Sequence, residues 1–211
     1  MSYKLFFVLF QVFILGLTWA HPVQYKDAVA FMTWNQAFLN ESWLTYSYTE
    51  KRAVAFRYMR VVTDDDEVNN FYMPQYDLLL KRWNGQDYQA NIYTYAAIGV
   101  QHRPTRTGTA VLGGVEADWE TRKYFIQGKS EFMGSDIDTG MEKYEFRLGV
   151  APYESEFDEV GSWLMLQYQS HSWLSKKQAL TPLARFMYKS VLWELGTSFE
   201  GDYMSNVMFL F

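Results

Sequence analysis

Residues 89–101 read QANIYTYAAIGVQ and contain the clearest structural signal in the chain. Apolar or small residues recur at every second position from Ala90 through Ile92 to Val100, while polar or aromatic residues such as Asn91 lie between them. Successive side chains of a β-strand point to opposite faces, so this alternation predicts a strand with one apolar and one more polar face. A helix would scatter the same apolar residues around its axis.

Segments of similar length and pattern extend over the rest of the chain after residue 20. They predict an all-β protein of about twelve antiparallel strands, with ten or eight strands as alternatives. The predicted strands span residues 28–34, 43–49, 52–62, 70–82, 88–102, 108–119, 122–133, 142–151, 161–170, 178–187, 190–198 and 204–211.

The connections between the predicted strands sort by length. The odd-numbered connections are long and polar, as in 35–42 and 134–141, whereas most even-numbered ones are tight turns, as at 50–51. Segment 152–160 is the exception. Long loops at one end and tight turns at the other, with both chain ends on the turn side, are typical of a transmembrane up-and-down β-barrel.

Strand length and aromatic placement favour a membrane barrel over a soluble one. Most predicted strands have about 9–13 residues, enough for the roughly 9–11 that a tilted spanning strand needs, whereas soluble strands average about 5–6. Aromatic residues make up 19% of the chain, and many, including Trp34, Trp119 and Tyr188, lie near strand ends. Such rings favour the boundary between lipid headgroups and acyl chains. A soluble periplasmic lipocalin-like barrel that binds a ligand remains the alternative fold.

The N-terminus predicts export from the cytoplasm. Lys4 precedes an apolar run over residues 5–17, and a small residue, Thr18, lies two positions before Ala20. This is the pattern of a secretory signal peptide that is cleaved after Ala20. We therefore expect a signal peptide over residues 1–20 and a β-barrel over residues 21–211. The lack of Cys excludes disulfides and thiolate chemistry, and the net charge of −5 argues against nucleic acid as a partner.

Residues 203–211 form an alternating segment with Val207, Phe209 and Phe211 on one face; Ser205 departs from the pattern. This end resembles the bacterial outer-membrane β-barrel family, in which the last residue is usually Phe and the assembly machinery reads the last strand. The resemblance implies that Phe209 and Phe211 form an assembly signal and that the protein lies in the outer membrane. It also implies outer-membrane lipid, lipopolysaccharide and the barrel-assembly machinery as partners.

Four segments, 78–84, 89–93, 117–125 and 149–153, resemble a family of small secreted proteobacterial proteins. That family is loosely associated with copper and heavy-metal efflux gene neighbourhoods. The resemblance implies a link with metal stress and supplies no catalytic motif.

The polar faces of the predicted strands assign charged residues to the barrel interior. Both signs occur there, which predicts paired charges rather than a selectivity ring of one sign. We expect a salt-bridged, largely occluded lumen in a barrel of structural or narrow-channel type. The predicted lumen charge network consists of Asp77, Lys81, Glu116, Asp118, Lys123, Lys129, Glu131, Glu145, Arg147, Arg185 and Glu194.

No motif indicates catalysis. We predict no catalytic residue, no cofactor and no metal site, with His102 and His171 as weak candidates for metal ligands. An outer-membrane hydrolase acting on lipid or peptide is the alternative function. Its nearest signature is the pair Ser170 and His171, but neighbours on one strand point in opposite directions, which is poor geometry for a nucleophile and its base.

Overall fold

The computed structural model describes residues 21–63, 66–138, 140–174 and 178–211, and this part of the chain contains twelve β-strands. The predicted signal peptide lies outside the described residues. Within the described ranges, no helix is long and apolar enough to cross a membrane. The strands are β1 (Ala28–Gln36), β2 (Leu39–Thr49), β3 (Arg52–Val62), β4 (Val68–Asn84), β5 (Tyr88–His102), β6 (Thr107–Thr121), β7 (Tyr124–Ser135), β8 (Met141–Val150), β9 (Gly161–His171), β10 (Gln178–Tyr188), β11 (Val191–Thr197) and β12 (Tyr203–Leu210).

The strands close into a barrel. Each pairs antiparallel with its chain neighbours, and β1 pairs with β12 from Ala30 opposite Leu210 to Gln36 opposite Met204. The predicted twelve-stranded up-and-down barrel is confirmed, and the alternatives of ten or eight strands are wrong. Closure leaves no strand edge with unpaired backbone groups, which is the condition for a sheet inside a membrane. We call the end that carries the β2–β3 turn and the start of β1 the turn end, and the opposite one the loop end.

The outer face of the barrel is apolar. Ile98 and Leu164 expose 60% and 61% of their surface, and Leu148 lies in register with the equally outward Leu166. Charged side chains such as Arg57 are instead fully buried inside the barrel. This inside-out distribution is that of an outer-membrane β-barrel. It argues against the lipocalin-like alternative, in which the apolar face would point inward.

The first connection is much shorter than predicted. A loop was expected over residues 35–42, but the two strands continue to the pair Asn35 and Asn40, and only residues 37–38 remain between them. This prediction was wrong because polarity was taken to indicate a loop, whereas most polar residues of this stretch belong to the two strands. Glu41 is a strand residue, and its side chain is buried inside the barrel.

A β-bulge in β4 changes the direction of the side chains that follow it. The register with β5 shifts between Leu79 and Lys81, so that Leu80 and Lys81 are both exposed. A bulge adds one residue to a strand and re-aims its neighbours. The next inward position falls on Arg82, which donates a hydrogen bond to Asn91 at 2.6 Å. The prediction that Lys81 faces the lumen was therefore wrong.

The apolar belt predicts a large cost for a charge at its centre. Leu166 lies midway along β9 and faces outward. We expect Leu166→Arg to lower the free energy of unfolding by about 2–4 kcal/mol, because a cation near the bilayer midplane loses its hydration. Denaturant unfolding in phospholipid vesicles, followed by tryptophan fluorescence, measures the change. Val160→Arg, in the exposed connection before β9, is the control. An equal cost for both variants would contradict the assignment of the lipid-facing side.

Candidate functional site

The middle of the barrel holds ion pairs between strands that are far apart in the ring. Arg57 on β3 places Nε 2.5 Å from Glu41 Oε1 on β2, and Nη1 2.8 Å from Glu131 Oε1 on β7. Lys143 Nζ on β8 lies 3.7 Å from Glu41 Oε2 and 3.6 Å from Glu131 Oε2. Because β2 and β8 lie opposite each other in the ring, the Glu41–Lys143 contact spans the interior. We call these four residues, together with Lys129, the central group.

Aromatic rings surround the cations of the central group. Lys129 Nζ lies 3.3 Å from Glu131 Oε1, 4.7 Å from the ring centroid of Trp43 and 5.5 Å from that of Tyr95. The Tyr95 hydroxyl donates to Glu131 at 2.9 Å, and the Trp43 indole N–H donates to Glu41. Ring faces attract cations through their quadrupole. Rings and carboxylates together therefore take the place of water around these buried charges.

A second set of ion pairs, which we call the Glu194 group, lies on β8, β10 and β11. Glu194 accepts hydrogen bonds from Arg185 Nε and Asn206 Nδ2, both at 2.7 Å, and lies 3.3 Å from Arg147 Nη1. Arg147 Nε is also 2.9 Å from Glu145 Oε1. A buried ion is tolerated when it is paired and hydrogen-bonded. Each carboxylate of the Glu194 group meets this condition.

Residues 21–24, which precede β1, enter the barrel from the turn end. We call them the plug segment. His21, Val23 and Gln24 are all buried. The backbone N–H of Gln24 donates to Ser47 Oγ at 2.9 Å, and its side chain donates to the carbonyl of His21 at 2.8 Å. The plug segment is thus attached to the inner wall before β1 begins.

The His21 ring lies between two carboxylates of β6. Its Nδ1 is 3.3 Å from Asp118 Oδ2, its Nε2 is 3.7 Å from Glu120 Oε1, and the ring stacks on Tyr93 with centroids 5.5 Å apart. Burial lowers the pKa of His21, but the adjacent carboxylates of Asp118 and Glu120 outweigh this effect and raise the pKa to about 10. The plug segment therefore presents a cation to an acidic part of the wall.

An apolar cluster and a small cavity lie next to these charged groups. An apolar cluster that includes Met59, Phe71 and Met133 packs inside the barrel near the loop end. Beside the plug segment, an interior cavity lined by Glu116, Lys129 and other residues has a volume of about 20 Å³. Such a cavity has room for about one water molecule.

The structure places most of the predicted lumen network inside the barrel, although as separate groups rather than one cluster. Lys123 is different, because β7 begins at Tyr124 and Lys123 lies in the exposed turn after β6. The prediction that Lys123 faces the lumen was wrong, as was that for Lys81, which the bulge turns outward. The predicted residues that lie inside are Asp77, Glu116, Asp118, Lys129, Glu131, Glu145, Arg147, Arg185 and Glu194.

Several lumen charges were missed by the sequence reasoning. Arg57 alternates with the outward Phe56, and Lys143 lies two residues before Glu145 on the same face of β8. Strict alternation could have found both. Glu41 was missed because residues 35–42 were wrongly predicted to form a loop. No local sequence pattern indicates that His21 is buried, because its partners lie far along the chain on β6.

The histidine candidates and the Ser–His pair do not form a site. His102 is exposed, and its Nδ1 lies 2.9 Å from Thr107 Oγ1. His171 is buried and packs edge-on against Phe38, with centroids 4.9 Å apart. Ser170 points to the other face of β9, so it cannot use the His171 ring as a base. The geometry does not support the hydrolase alternative.

The two residues of the predicted assembly signal lie at the barrel seam. Phe209 on β12 and the following Phe211 both face outward, and their rings stack with centroids 6.5 Å apart. The Phe211 backbone N–H donates to the Val29 carbonyl at 2.8 Å, which extends the pairing of β12 with β1.

Removing one member of the central group should destabilise the barrel. We expect Arg57→Met to lower the free energy of unfolding by about 3–5 kcal/mol, because the buried Glu41 and Glu131 lose the nearer of the two cations that they share and keep only the more distant Lys143. Arg52→Met, at the exposed start of β3, should change it by less than about 0.5 kcal/mol. Urea unfolding in detergent micelles measures both. Equal losses would show that the buried pairs are not what stabilises the interior.

No family model matches the chain, and no curated protein matches it either. One similar solved structure, described as KdgM porin in complex with disordered oligogalacturonate, has a TM-score of 0.50 at 7% identity over 86% of this chain and 98% of that one. Another, KdgM porin, has a TM-score of 0.48 at 8% identity over 86% and 98%. A loop-deletion mutant of OmpT, an outer membrane protein of Vibrio cholerae, has a TM-score of 0.30 at 6% identity over 87% and 97%. The first likeness supports the fold alone, and none supports the resemblance to proteins of metal-efflux neighbourhoods. The chain therefore has the fold of an outer-membrane porin barrel.

Proposed function

We propose that the protein is an integral outer-membrane barrel of narrow-channel type whose lumen is occluded by paired charges. The observation that carries this proposal is the 3.7 Å contact between Glu41 and Lys143, which joins opposite strands through the middle of the barrel. Barrels of about eight strands are filled by side chains, whereas those of about sixteen enclose an aqueous channel. A twelve-stranded barrel can be filled when long charged side chains meet at its axis.

The pairing of the lumen charges supports the same conclusion. A pore that selects ions presents free charges of one sign at one depth. Here Arg57 lies against Glu131 and Arg147 against Glu194. A permeating ion would have to displace a protein charge from its partner, and in a poorly hydrated interior that step is costly.

The ligands of similar proteins are not carried over to this chain. The oligogalacturonate in the description of one KdgM structure belongs to that protein. The buried cations of the central group are already paired with Glu41 and Glu131, so we propose no such ligand here. A link with metal stress is not part of the proposal either, because no family model or curated relative connects the chain with it.

The partners that we propose would contact the outer surface of the barrel. Acyl chains of outer-membrane lipid and lipopolysaccharide would cover the apolar belt, and the barrel-assembly machinery would bind β12 through the outward rings of Phe209 and Phe211. Residues 1–20 would be removed during export.

Vesicle permeability tests the occluded lumen. We expect vesicles that contain the wild-type barrel to show no sugar-driven swelling and a low ion leak. The double variant Glu41→Ala with Lys143→Ala removes the pair across the axis without changing the net charge. Its ion leak should rise several-fold, because the centre of the lumen becomes wider and wetter. Swelling in a monosaccharide solution and single-channel current in planar bilayers are the measurements.

A matched double variant controls for loss of charge as such. Arg122 and Glu156 form an exposed pair at 3.0 Å outside the strands, so Arg122→Ala with Glu156→Ala should leave the leak unchanged. Wild-type vesicles that swell as fast as those with an open porin would refute the proposal. So would a folded Glu41→Ala, Lys143→Ala barrel that leaks no more than the wild type.

A further inference from the structure

We propose that His21, Glu116 and Asp118 form a binding site for one divalent transition-metal ion at the turn end of the lumen. One ligand atom from each of these buried residues lies within 4.8 Å of the other two. The inference goes beyond the channel role and does not depend on it. The sequence predicted no metal site and offered His102 and His171 as weak candidates.

The distances suit a shared ion. Two tetrahedral ligands at about 2.1 Å from a metal are about 3.4 Å apart. Nδ1 of His21 and Oδ2 of Asp118 are 3.3 Å apart. Glu116 Oε1 accepts a hydrogen bond from Gln127 Nε2 at 2.8 Å, which orients its carboxylate. A small movement of Glu116 would bring the third ligand to the same distance.

The atoms of His21 and Asp118 that face each other in this cluster are buried. His21 and Asp118 are 6% and 5% exposed. Within the described residues, neither ring nitrogen of His21 nor Oδ2 of Asp118 makes a hydrogen bond of ordinary geometry. Buried polar atoms are nearly always hydrogen-bonded, so unsatisfied atoms that face one another call for an explanation. A metal ion between them would take the place of the proton that His21 shares with the adjacent carboxylates.

Glu120 lies where a carboxylate of the outer ligand shell is expected. Glu120 Oε1 is 3.7 Å from His21 Nε2, on the side of the ring away from Nδ1. Metal-binding histidines usually donate their other N–H to a carboxylate or carbonyl, which fixes the tautomer and the ring orientation. Tyr93 stacks on the same ring with centroids 5.5 Å apart and limits its rotation.

The chemistry of the three ligand side chains indicates which ions would bind. One imidazole and two carboxylates suit Zn²⁺, Ni²⁺ or Cu²⁺, whereas Mg²⁺ prefers oxygen ligands and retains its waters. Glu120 also lines an open groove of about 650 Å³ at the turn end, together with Arg122 and Tyr124. One carboxylate beside His21 therefore borders a surface groove at the turn end.

Removal of the predicted signal peptide would add a ligand group to the site. Cleavage after Ala20 would free the α-amine of His21, and an amine and imidazole of one residue can bind the same ion. Pro22 has no backbone N–H to lose, so the next amide nitrogen cannot join them. The remaining ligands then have to come from the barrel wall, where Glu116 and Asp118 lie.

Zinc titration tests the site. The mature chain, residues 21–211, is refolded in detergent, treated with a chelator and titrated calorimetrically with Zn²⁺ and, separately, Mg²⁺. We expect one Zn²⁺ per chain and no detectable Mg²⁺ binding. Glu120→Gln should weaken Zn²⁺ binding about 10- to 100-fold, as for other outer-shell carboxylates. His21→Ala and Asp118→Asn, which remove ligands, should weaken it further.

Matched controls separate the site from adventitious binding. His171→Ala changes a buried histidine outside the cluster, and His102→Ala changes an exposed one, so both should bind Zn²⁺ like the wild type. The shift in gel mobility on boiling checks that every variant is folded. A wild-type barrel without a 1:1 zinc site, or a folded His21→Ala variant with unchanged affinity, would overturn the proposal. The vesicle leak reports on the central group alone, so the two proposals can fail separately.

Discussion

Each strand residue of a closed barrel in a membrane faces either the acyl chains of the lipid or the lumen. The charged side chains in this lumen must find their partners almost entirely within the protein. Removing an ion from water costs several kcal/mol, which a well-placed partner of opposite charge can offset. Arg57 meets this requirement by contacting carboxylates on β2 and β7 at once. The contents and the proposed closure of the barrel depend on such pairs.

Pairing between distant strands also specifies the barrel as a whole. A hydrogen-bonded ladder joins only neighbouring strands, whereas the contact between Glu41 and Lys143 joins strands on opposite sides of the barrel. Trp43 and Tyr95 add ring faces that hold Lys129 at the axis. If these long side chains were replaced by small ones, the same twelve strands could enclose water. The closure that we propose for the lumen would therefore depend on a few inward side chains rather than on the strand number.

The strand number and the lipid-facing side could be predicted because alternation is a local property. Ile98 and its neighbours on β5 show period two within one segment, and the same holds for Leu148 on β8. Predictions failed where the phase of the alternation changed or a boundary shifted. The bulge at Leu80 turned Lys81 outward, and the start of β7 left Lys123 in a turn. The partners across the lumen could not be predicted, because no local pattern encodes which opposite strand a side chain reaches.

The plug segment shows how a residue outside the strands acquires its role from the closed fold. His21 has acidic neighbours only because β6 carries Asp118 and Glu120 on its inner face near the turn end. In the unfolded chain these groups are far apart, so any ion that they share is bound by the folded barrel alone. Binding restricted to the folded state stabilises that state. The plug segment and its ion would thus hold the turn end, while the central group holds the middle of the lumen, and the facing residues Glu116 and Lys129 connect the two.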